Sequence, residues 1–312
     1  TELLKNMSND RHSGGRKPGR GGGGRRGGGG GRSGGGGRPD RSKSSGGHVE
    51  PLHPTLDVPD IDNFRHWKLR KEVLEALDAD NIVKPTPIQA ISIEHVLAGR
   101  DVIARAQTGT GKTLAFAAPM LTRIDPTRSS VLALILSPTR ELAEQIAKVF
   151  AAIGERIGVK VALIVGGEPA QPQVAAIQAG AQVVVGTPGR ILDHLLKRNL
   201  TLDGLKMFVF DEADRMLSMG FYPDMKRLRE FMPSSINGYM YSATFPQVVL
   251  SLAHEFLETP DFLSLSKDRI HVAETVHAFC DVPAMDKDRA LMRIIEIENP
   301  DSAIIFCNTK AN

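Results

Sequence analysis

Residues 101–113 read Asp-Val-Ile-Ala-Arg-Ala-Gln-Thr-Gly-Thr-Gly-Lys-Thr. An apolar, strand-like segment leads into a loop with two glycines, and the pattern G-x-x-x-x-G-K-[ST] is matched from Gly111 onward, with Ala106 at its first position. Glycines let backbone N–H groups curl around a phosphate, and the start of the following helix adds partial positive charge. Lys112 can reach the β- and γ-phosphates, and the Thr113 hydroxyl can bind Mg²⁺. A chance glycine-rich turn before a helix is the less favoured alternative, because the strand–loop–helix context is right.

A second apolar segment, residues 207–210, ends in the acidic residues Asp211, Glu212 and Asp214. Phosphate-loop enzymes use a carboxylate at a strand end to hold Mg²⁺ opposite the loop, which is the role predicted for Asp211. The adjacent Glu212 can orient or deprotonate an attacking water. The alternative is an acidic helix start, and it carries more weight for Asp214 than for Asp211. The two motifs together predict a metal-assisted nucleotide hydrolase.

Between and around these motifs, short apolar segments alternate with helical ones. Strands are predicted at 101–105, 131–136, 161–165, 182–186, 207–210 and 238–241. Helices are predicted at 65–78, 87–97, 112–123, 140–156, 171–179, 189–198 and 246–258. Continuous apolar strands alternating with helices indicate an α/β fold with a parallel sheet covered on both faces. In such a fold, functional loops lie at the carboxyl ends of the strands.

The first fifty residues differ in composition from the rest of the chain. They hold 18 of the 31 glycines, no aromatic residue, and 11 Lys and Arg residues against 4 Asp and Glu. The remaining 262 residues hold 28 basic and 32 acidic residues, so a basic segment precedes a slightly acidic body. A segment so poor in apolar side chains cannot offset its ordering entropy, and a disordered Gly/Arg-rich tail is predicted.

Composition also excludes several classes of protein. Two cysteines, Cys280 and Cys307, are too few for a disulfide scaffold or a cysteine-rich metal site. No apolar run approaches the roughly 18–20 residues that cross a bilayer, so no membrane association is expected. A cytoplasmic location is the expectation.

The C-terminal segment predicts a second domain. Residues 286–297 predict a helix, and residues 275–281 and 302–308 predict strands, the last only four residues from Asn312. A buried strand needs neighbours, so the sequence is expected to be a fragment that ends inside a domain. The predicted divisions are a tail over 1–50, a linker over 51–63, a nucleotide-binding domain over 64–264, a linker over 265–274 and the start of a second domain over 275–312.

Further short motifs give the sequence a family resemblance. In chain order they are Phe64, Lys84-Pro85-Thr86-Pro87-Ile88-Gln89, the phosphate loop, Pro138-Thr139-Arg140-Glu141-Leu142-Ala143, Gly166-Gly167, Thr187-Pro188-Gly189-Arg190, Asp211-Glu212-Ala213-Asp214, Ser242-Ala243-Thr244 and Ile304-Ile305-Phe306-Cys307-Asn308. From Phe64 onward, the chain resembles the DEAD-box ATP-dependent RNA helicases, whose phosphate loop normally starts with Ala. Each string is weak alone, but their order and spacing are not expected by chance.

The resemblance implies a RecA-like fold that binds ATP and Mg²⁺. It implies nucleotide contacts from Phe64, Ile82, Pro87, Gln89, Ala106, Gln107, Thr108, Gly109, Thr110, Gly111, Lys112 and Thr113. Gln89 would bind adenine through its amide, whereas a helix-surface amide is the alternative. Ile82 stands where the family usually has Phe or Tyr, and it can pack on the base without π-stacking. The implied catalytic residues are Lys112, Asp211, Glu212, Ser242 and Thr244, with Thr113 and Asp211 at the metal, partly through water.

The resemblance also implies an RNA surface that contacts the sugar-phosphate backbone. Its expected residues are Pro138, Thr139, Arg140, Gly166, Gly167, Thr187, Gly189 and Arg190. Hydroxyls, arginines and exposed backbone N–H groups suit phosphate, and none of them offers obvious base readout, so sequence-independent binding is expected. Ser242 and Thr244 would couple the nucleotide site to the interdomain arrangement through hydrogen bonds to the acidic cluster, or they would form a simple strand-end turn. Solvated charges are the alternative reading of Arg140 and Arg190.

Two function classes follow from the family resemblance and the expected truncation. The first is an ATP-dependent RNA helicase that remodels short duplexes. The second is an ATP- and RNA-binding module with little turnover, because the family's later arginine motifs are absent from the 312 residues. A DNA translocase is a more distant third. The Gly/Arg clusters over 14–38 are expected to form an RNA-binding arm that acts by counterion release, with a flexible linker as the alternative.

Overall fold

The computed structural model describes residues 56–265, 278–283 and 286–306. Its strands are β1 Val102–Arg105, β2 Ala133–Leu136, β3 Val161–Ile164, β4 Val183–Gly186, β5 Met207–Asp211, β6 Asn237–Ser242 and β7 Asp261–Ser264. Its α-helices are α1 Lys71–Ala79, α2 Pro87–Leu97, α3 Lys112–Arg123, α4 Arg140–Gly154, α5 Ala170–Gln178, α6 Pro188–Leu196, α7 Ala213–Ser218, α8 Tyr222–Arg229, α9 Gln247–Phe256 and α10 Lys287–Glu298. Short 3-10 turns cover Phe64–His66 and Glu155–Ile157.

The seven strands form one parallel sheet in the order β3-β4-β2-β5-β6-β1-β7. The sheet separates two apolar cores, because neighbouring side chains of a strand point to opposite faces. On β5, Val209 packs into the core formed with α1 to α4, whereas Phe208 and Phe210 pack into the core formed with α6 to α9. The predicted α/β class, with helices on both faces of a parallel sheet, is confirmed.

The best-predicted helices carry strong local start signals. Helix α2 has Thr86 at its N-cap and Pro87 at its first position, where proline costs no hydrogen bond. Helix α3 follows Gly111, which adopts the left-handed conformation that glycine tolerates. Both helices have the predicted bounds. The other predicted strands and helices through residue 258 also have counterparts, although α1 begins only at Lys71, after the 3-10 turn.

Three elements have no counterpart in the sequence prediction. Helices α7 and α8 are only 6 and 8 residues long, and α8 carries four charged side chains, so neither shows a long apolar periodicity. Strand β7 is a four-residue edge strand that pairs with β1. Its stability depends on that tertiary pairing rather than on a strong local pattern.

The segment after residue 277 differs from the prediction. Helix α10 is present, and none of its residues is buried. The described parts of the two predicted strands, 278–281 and 302–306, form no strand, and Phe306 is 92% exposed. A strand requires hydrogen-bonded partners, and none of the described strands pairs with these residues.

The predicted tail over 1–50 and nearly all of the linker over 265–274 lie outside the described residues. None of the described helices has the length and apolar character of a membrane span.

Candidate functional site

The candidate site lies along the carboxyl edge of the sheet, where functional loops were expected. The order β5-β6-β1 brings Asp211, Ser242 and the phosphate loop onto neighbouring strand ends. Asp211 is level with Tyr241 of β6, and Tyr241 is level with Ala104 of β1. The Ala106 N–H donates a hydrogen bond to the Ser242 carbonyl at 3.0 Å, which extends the β1–β6 pairing into the loop.

The phosphate loop, residues 106–113, turns sharply at its two glycines. Gly109 and Gly111 have φ angles of +82° and +91°, in the region that disfavours other residues. A Cβ atom on Gly111 would lie 2.6 Å from Gln89 Nε2, whereas nothing lies within 4 Å of the corresponding position on Gly109. The requirement for glycine is therefore conformational at both positions and steric only at Gly111.

Two buried charged groups at this edge each have an atom without a hydrogen-bond partner among the described residues. Lys112 is 6% exposed and Asp211 is also 6% exposed. Within the described part of the chain, neither Lys112 Nζ nor Asp211 Oδ1 makes a hydrogen bond. Burial raises the pKa of Asp211 to about 6, against the opposing attraction of Lys112. Because buried polar groups are normally satisfied, this arrangement suits a ligand that supplies both negative charge and a cation.

The same groups fit a magnesium nucleotide. Mg²⁺ is usually bound by one or two carboxylates together with phosphates and waters, and Asp211 and Thr113 offer that limited donor set. Among the described residues, no group of three or more His, Cys, Asp or Glu side chains could hold a metal by itself. When bound, Mg²⁺ would neutralise charge on the transferring phosphoryl group.

Glu212 occupies a strained backbone position beside Asp211. Its φ of 56° lies in the left-handed region, which is rare for a residue with a side chain and is concentrated at functional sites. One carboxylate oxygen accepts a hydrogen bond from Thr108 Oγ1 at 3.3 Å, and the other lies 3.2 Å from Arg215 Nη1. The carboxylate therefore joins the phosphate loop to α7, and it lines a cleft of about 450 Å³ with Asp214 and Thr244.

Ser242 and Thr244 contact the acidic cluster through Asp214. The Thr244 hydroxyl donates to Asp214 Oδ2 at 2.6 Å, and the Thr244 N–H donates to the same oxygen at 3.0 Å. Ser242 Oγ accepts from the Asp214 N–H at 3.2 Å. Burial raises the pKa of Asp214, but the hydrogen bonds from Thr244 and Ser242 more than offset this effect, so the pKa lies below its ordinary value. Asp214 is thus a connecting residue rather than only a helix-start charge.

The segment around Gln89 supports the phosphate loop from one side. Gln89 is buried, its Oε1 accepts from the Thr86 N–H at 2.8 Å, and its Nε2 donates to the Gly111 carbonyl at 3.0 Å. The amide is therefore already bonded at both ends within the protein. Ile82 is half-buried against the core. The Phe64 ring is 3% exposed and packs on Trp67 with 5.9 Å between ring centroids, so it presents little surface to a nucleotide.

The residues predicted to contact RNA lie at the ends of three adjacent strands. The order β3-β4-β2 brings together the segments that follow these strands: Gly166-Gly167, Thr187-Pro188-Gly189-Arg190 and Pro138-Thr139-Arg140. Gly166 and Gly167 are exposed, Thr187 and Gly189 are half-buried, and Pro138 is buried. Thr139 Oγ1 accepts a hydrogen bond from the Leu142 N–H at 3.3 Å and caps α4. The structure thus collects these residues at one end of the sheet edge.

Both arginines of this group bond to the segment after β3. Arg140 Nη1 lies 2.5 Å from Glu168 Oε1, and its Nε donates to Glu144 Oε1 at 2.7 Å. Arg190 Nη2 donates to the Glu168 carbonyl at 2.8 Å, and its Nε donates to Gln173 Oε1 at 3.2 Å. The hydrogen bond from Arg140 to Glu144, with the neighbouring Glu168, raises the pKa of the guanidinium above its ordinary value. Neither arginine is a simply solvated charge.

Sequence reasoning missed Arg215, Glu168 and Gln173. A signal existed for Arg215, because it stands three residues after Glu212, a spacing at which helical side chains meet. Glu168 lies 28 residues from Arg140 and 22 from Arg190, and no local pattern links such positions. These contacts are products of the strand order.

Comparisons with known proteins agree with this arrangement. The DEAD/DEAH box helicase family matches residues 86–252. The ATP-dependent RNA helicase eIF4A of Mycosarcoma maydis is 41% identical over 251 residues, which are 80% of this chain and 61% of the relative. The ATP-dependent RNA helicase DeaD of Escherichia coli K12 is 40% identical over 248 residues, which are 79% of this chain and 39% of the relative.

A solved structure supports the same assignment. A DEAD box protein from the hyperthermophile Methanococcus jannaschii superimposes with a TM-score of 0.64 at 33% identity, over 76% of this chain and 64% of the other. The chain thus matches from about two fifths to three fifths of the length of these two curated relatives. Because the family match covers more than half of the sequence and includes the phosphate loop and the acidic strand end, the chain belongs to the DEAD/DEAH box helicase family.

Proposed function

We propose that this protein is an ATP-dependent RNA helicase that holds RNA by its backbone and separates or remodels short duplexes. The observation that carries the proposal is a pair of buried atoms at one sheet edge, Lys112 Nζ and Asp211 Oδ1, beside a glycine-rich loop; neither atom makes a hydrogen bond to the described residues. The relatives that are 40–41% identical are named as ATP-dependent RNA helicases. This favours the enzyme over the binding module and over a DNA translocase.

In the proposed nucleotide site, the backbone N–H groups of the phosphate loop and the Lys112 ammonium bind the β- and γ-phosphates. Asp211 and Thr113 hold Mg²⁺, partly through water. The second N–H of the Gln89 amide is proposed to donate to adenine, while the same nitrogen also donates to the Gly111 carbonyl. Gln89 would thereby bind the base and support the loop.

Glu212 is proposed to orient or deprotonate the attacking water. Its carboxylate is held by contacts with Thr108 and Arg215 and lines the cleft, which supports this role. Asp214 links this region to the strand end that carries Ser242 and Thr244. A shift of the acidic cluster during hydrolysis would reach the β6–α9 turn through these hydrogen bonds.

RNA is proposed to bind across the ends of β3, β4 and β2. Exposed glycines and the start of α6 offer backbone N–H groups to phosphates, and Arg140 and Arg190 add charge. Because hydroxyls, arginines and backbone N–H groups suit phosphate and offer no obvious base readout, the proposed binding is independent of sequence. A cytoplasmic location stays a prediction and is testable by cell fractionation.

The proposal is tested by measuring ATP hydrolysis and duplex unwinding by the natural protein, with RNA and with DNA of the same sequence. RNA should stimulate hydrolysis, and DNA should not. Lys112→Ala should abolish ATP binding and unwinding, whereas Lys148→Ala, which removes an exposed lysine on α4, should change neither. Retained ATPase activity in Lys112→Ala would contradict the assignment of the phosphate loop.

Glu212→Gln separates binding from turnover. It keeps the size of the side chain and its hydrogen bonding to Thr108 but removes the base. ATP and RNA binding should persist while hydrolysis falls by about 10²–10⁴-fold, the usual contribution of a positioned base. Normal hydrolysis would refute the role of Glu212. ATP and RNA binding without turnover in the unaltered natural protein would instead support the binding module.

A further inference from the structure

The segment after β3 contains a carboxylate that faces the proposed RNA surface. Glu168 follows the two exposed glycines, and the positive φ of Gly167, 78°, turns the chain at this point. The Glu168 side chain pairs with Arg140 at 2.5 Å, and its backbone carbonyl accepts from Arg190 at 2.8 Å. One residue therefore contacts both arginines, but only one contact involves its charge.

The two arginines consequently differ in how much positive charge they offer. Arg140 is paired with two carboxylates, Glu144 and Glu168. Arg190 donates to two neutral oxygens, and its carboxylate neighbour, Asp193, lies 3.6 Å away. A phosphate can join Arg190 without displacing these neutral acceptors, whereas it must compete with carboxylates for Arg140.

We propose that the Glu168 carboxylate holds Arg140 in the RNA-free protein and is displaced when an RNA backbone phosphate takes its place. This inference rests on the proposed function, since it assumes that Arg140 contacts RNA. The Glu168 carboxylate then competes with phosphate for Arg140. This competition lowers the affinity of the protein for RNA and makes that affinity less dependent on salt. Arg190 remains the arginine that is held ready for phosphate.

The exposure of the pair makes such an exchange feasible. The side chains of Arg140 and Glu168 are 43% and 41% exposed, so a phosphate can approach without opening the core. Exposed ion pairs are weak: the stabilisation from one such pair changes an equilibrium constant by a factor of up to about five. An Arg–phosphate contact is often bidentate and can replace a single carboxylate contact of this strength.

The test is a double-mutant cycle on RNA binding by the natural protein. The probe is a short fluorescent oligouridine, titrated in the presence of a non-hydrolysable ATP analogue at several salt concentrations. Glu168→Gln should bind about two- to five-fold more tightly at low salt, and the slope of log K against log salt should steepen by about 0.7. The control, Glu94→Gln, removes an exposed carboxylate on α2 and should leave affinity and slope unchanged.

The second arm of the cycle removes Arg140, the partner of the Glu168 carboxylate. In an Arg140→Ala background, Glu168→Gln should change RNA affinity no more than the control does, because the arginine paired with Glu168 is absent. The hydrogen bond from Arg190 to the backbone carbonyl of residue 168 survives the substitution, so Arg190 keeps this contact. An equal gain in RNA affinity with and without Arg140 would overturn the proposal, because the effect of Glu168 would then be a general effect of its negative charge. Equal RNA affinity of Glu168→Gln and Glu94→Gln would also overturn the role of Glu168. In that case the proposed function would stand as long as the unaltered protein binds RNA. If the unaltered protein bound no RNA, both proposals would fail.

Discussion

Replacing Asp211 by asparagine is expected to stabilise the nucleotide-free protein at neutral and alkaline pH, although it removes a proposed metal ligand. Burial raises the pKa of Asp211 to about 6; the charge of Lys112 opposes this effect, and that of Glu212 adds to it. The folded state therefore disfavours the ionised carboxylate that exists at pH 8. Asparagine has nearly the same shape as the protonated acid and carries no charge.

The magnitude follows from the shift in pKa between the unfolded and folded states. A rise from 3.8 to about 6 corresponds to roughly 3 kcal/mol, at about 1.4 kcal/mol per pKa unit. Because the raised pKa favours the protonated form in the folded protein, ionisation of Asp211 costs folding stability. This penalty is absent below the pKa that Asp211 has in the unfolded chain. It grows as pH rises and is complete above the folded pKa. About half of it should remain at pH 5 and little below pH 4.

Urea unfolding of the two proteins without nucleotide and with a chelator measures this difference. Asp211→Asn should raise the free energy of unfolding by up to about 3 kcal/mol at pH 8 and by about half as much at pH 5. The control, Asp203→Asn, makes the same chemical change at an exposed carboxylate and should have little effect at either pH. A gain that does not depend on pH, or a loss of stability at pH 8, would refute the electrostatic reasoning.

Two further substitutions test the loop and the link to β6. Gly111→Ala should weaken ATP binding at least about tenfold more than Gly109→Ala, because both changes strain the backbone but only the first places a Cβ 2.6 Å from Gln89. Equal losses in a fluorescent-nucleotide titration would contradict the steric argument. Thr244→Val should cost about 1 kcal/mol at pH 7 by removing a hydrogen bond to Asp214. Since the lowered pKa of Asp214 gives stability only while the group is ionised, the cost should shrink below about pH 4, and an unchanged cost in urea unfolding would disprove that origin.

Local chemistry explains which parts of the fold were predictable. The starts of α2 and α3 follow from a Thr-Pro sequence and from a left-handed glycine, both of which act over a few residues. The central strands are continuous apolar runs, which parallel sheets buried on both faces require. By contrast, α7, α8 and β7 are short, and packing against neighbours rather than an internal pattern decides their conformation.

For the candidate site, the sequence proposes a set of residues but not the contacts between them. Sequence motifs select Lys112, Asp211 and Gln89. They do not reveal that the Gln89 amide bonds to Gly111, or that Lys112 Nζ and Asp211 Oδ1 are buried without a hydrogen bond to any described residue. They also suggest contact between Phe64 and the nucleotide, but they do not reveal that its ring is buried against Trp67. Burial and pairing depend on distant residues, which a local motif does not contain.

The amino-acid sequence by itself determined the alternating α/β pattern, the glycine-rich phosphate loop and the acidic strand end, because each depends on interactions within a few residues. Only the tertiary structure decided the strand order, which places β5 and β1 on either side of β6 and β4 between β3 and β2. That order buries Asp211, and this burial raises its pKa against the opposing charge of Lys112; it also brings Glu168 against Arg140. These contacts join residues between 28 and about 100 positions apart, so their energies arise only when the sheet has formed.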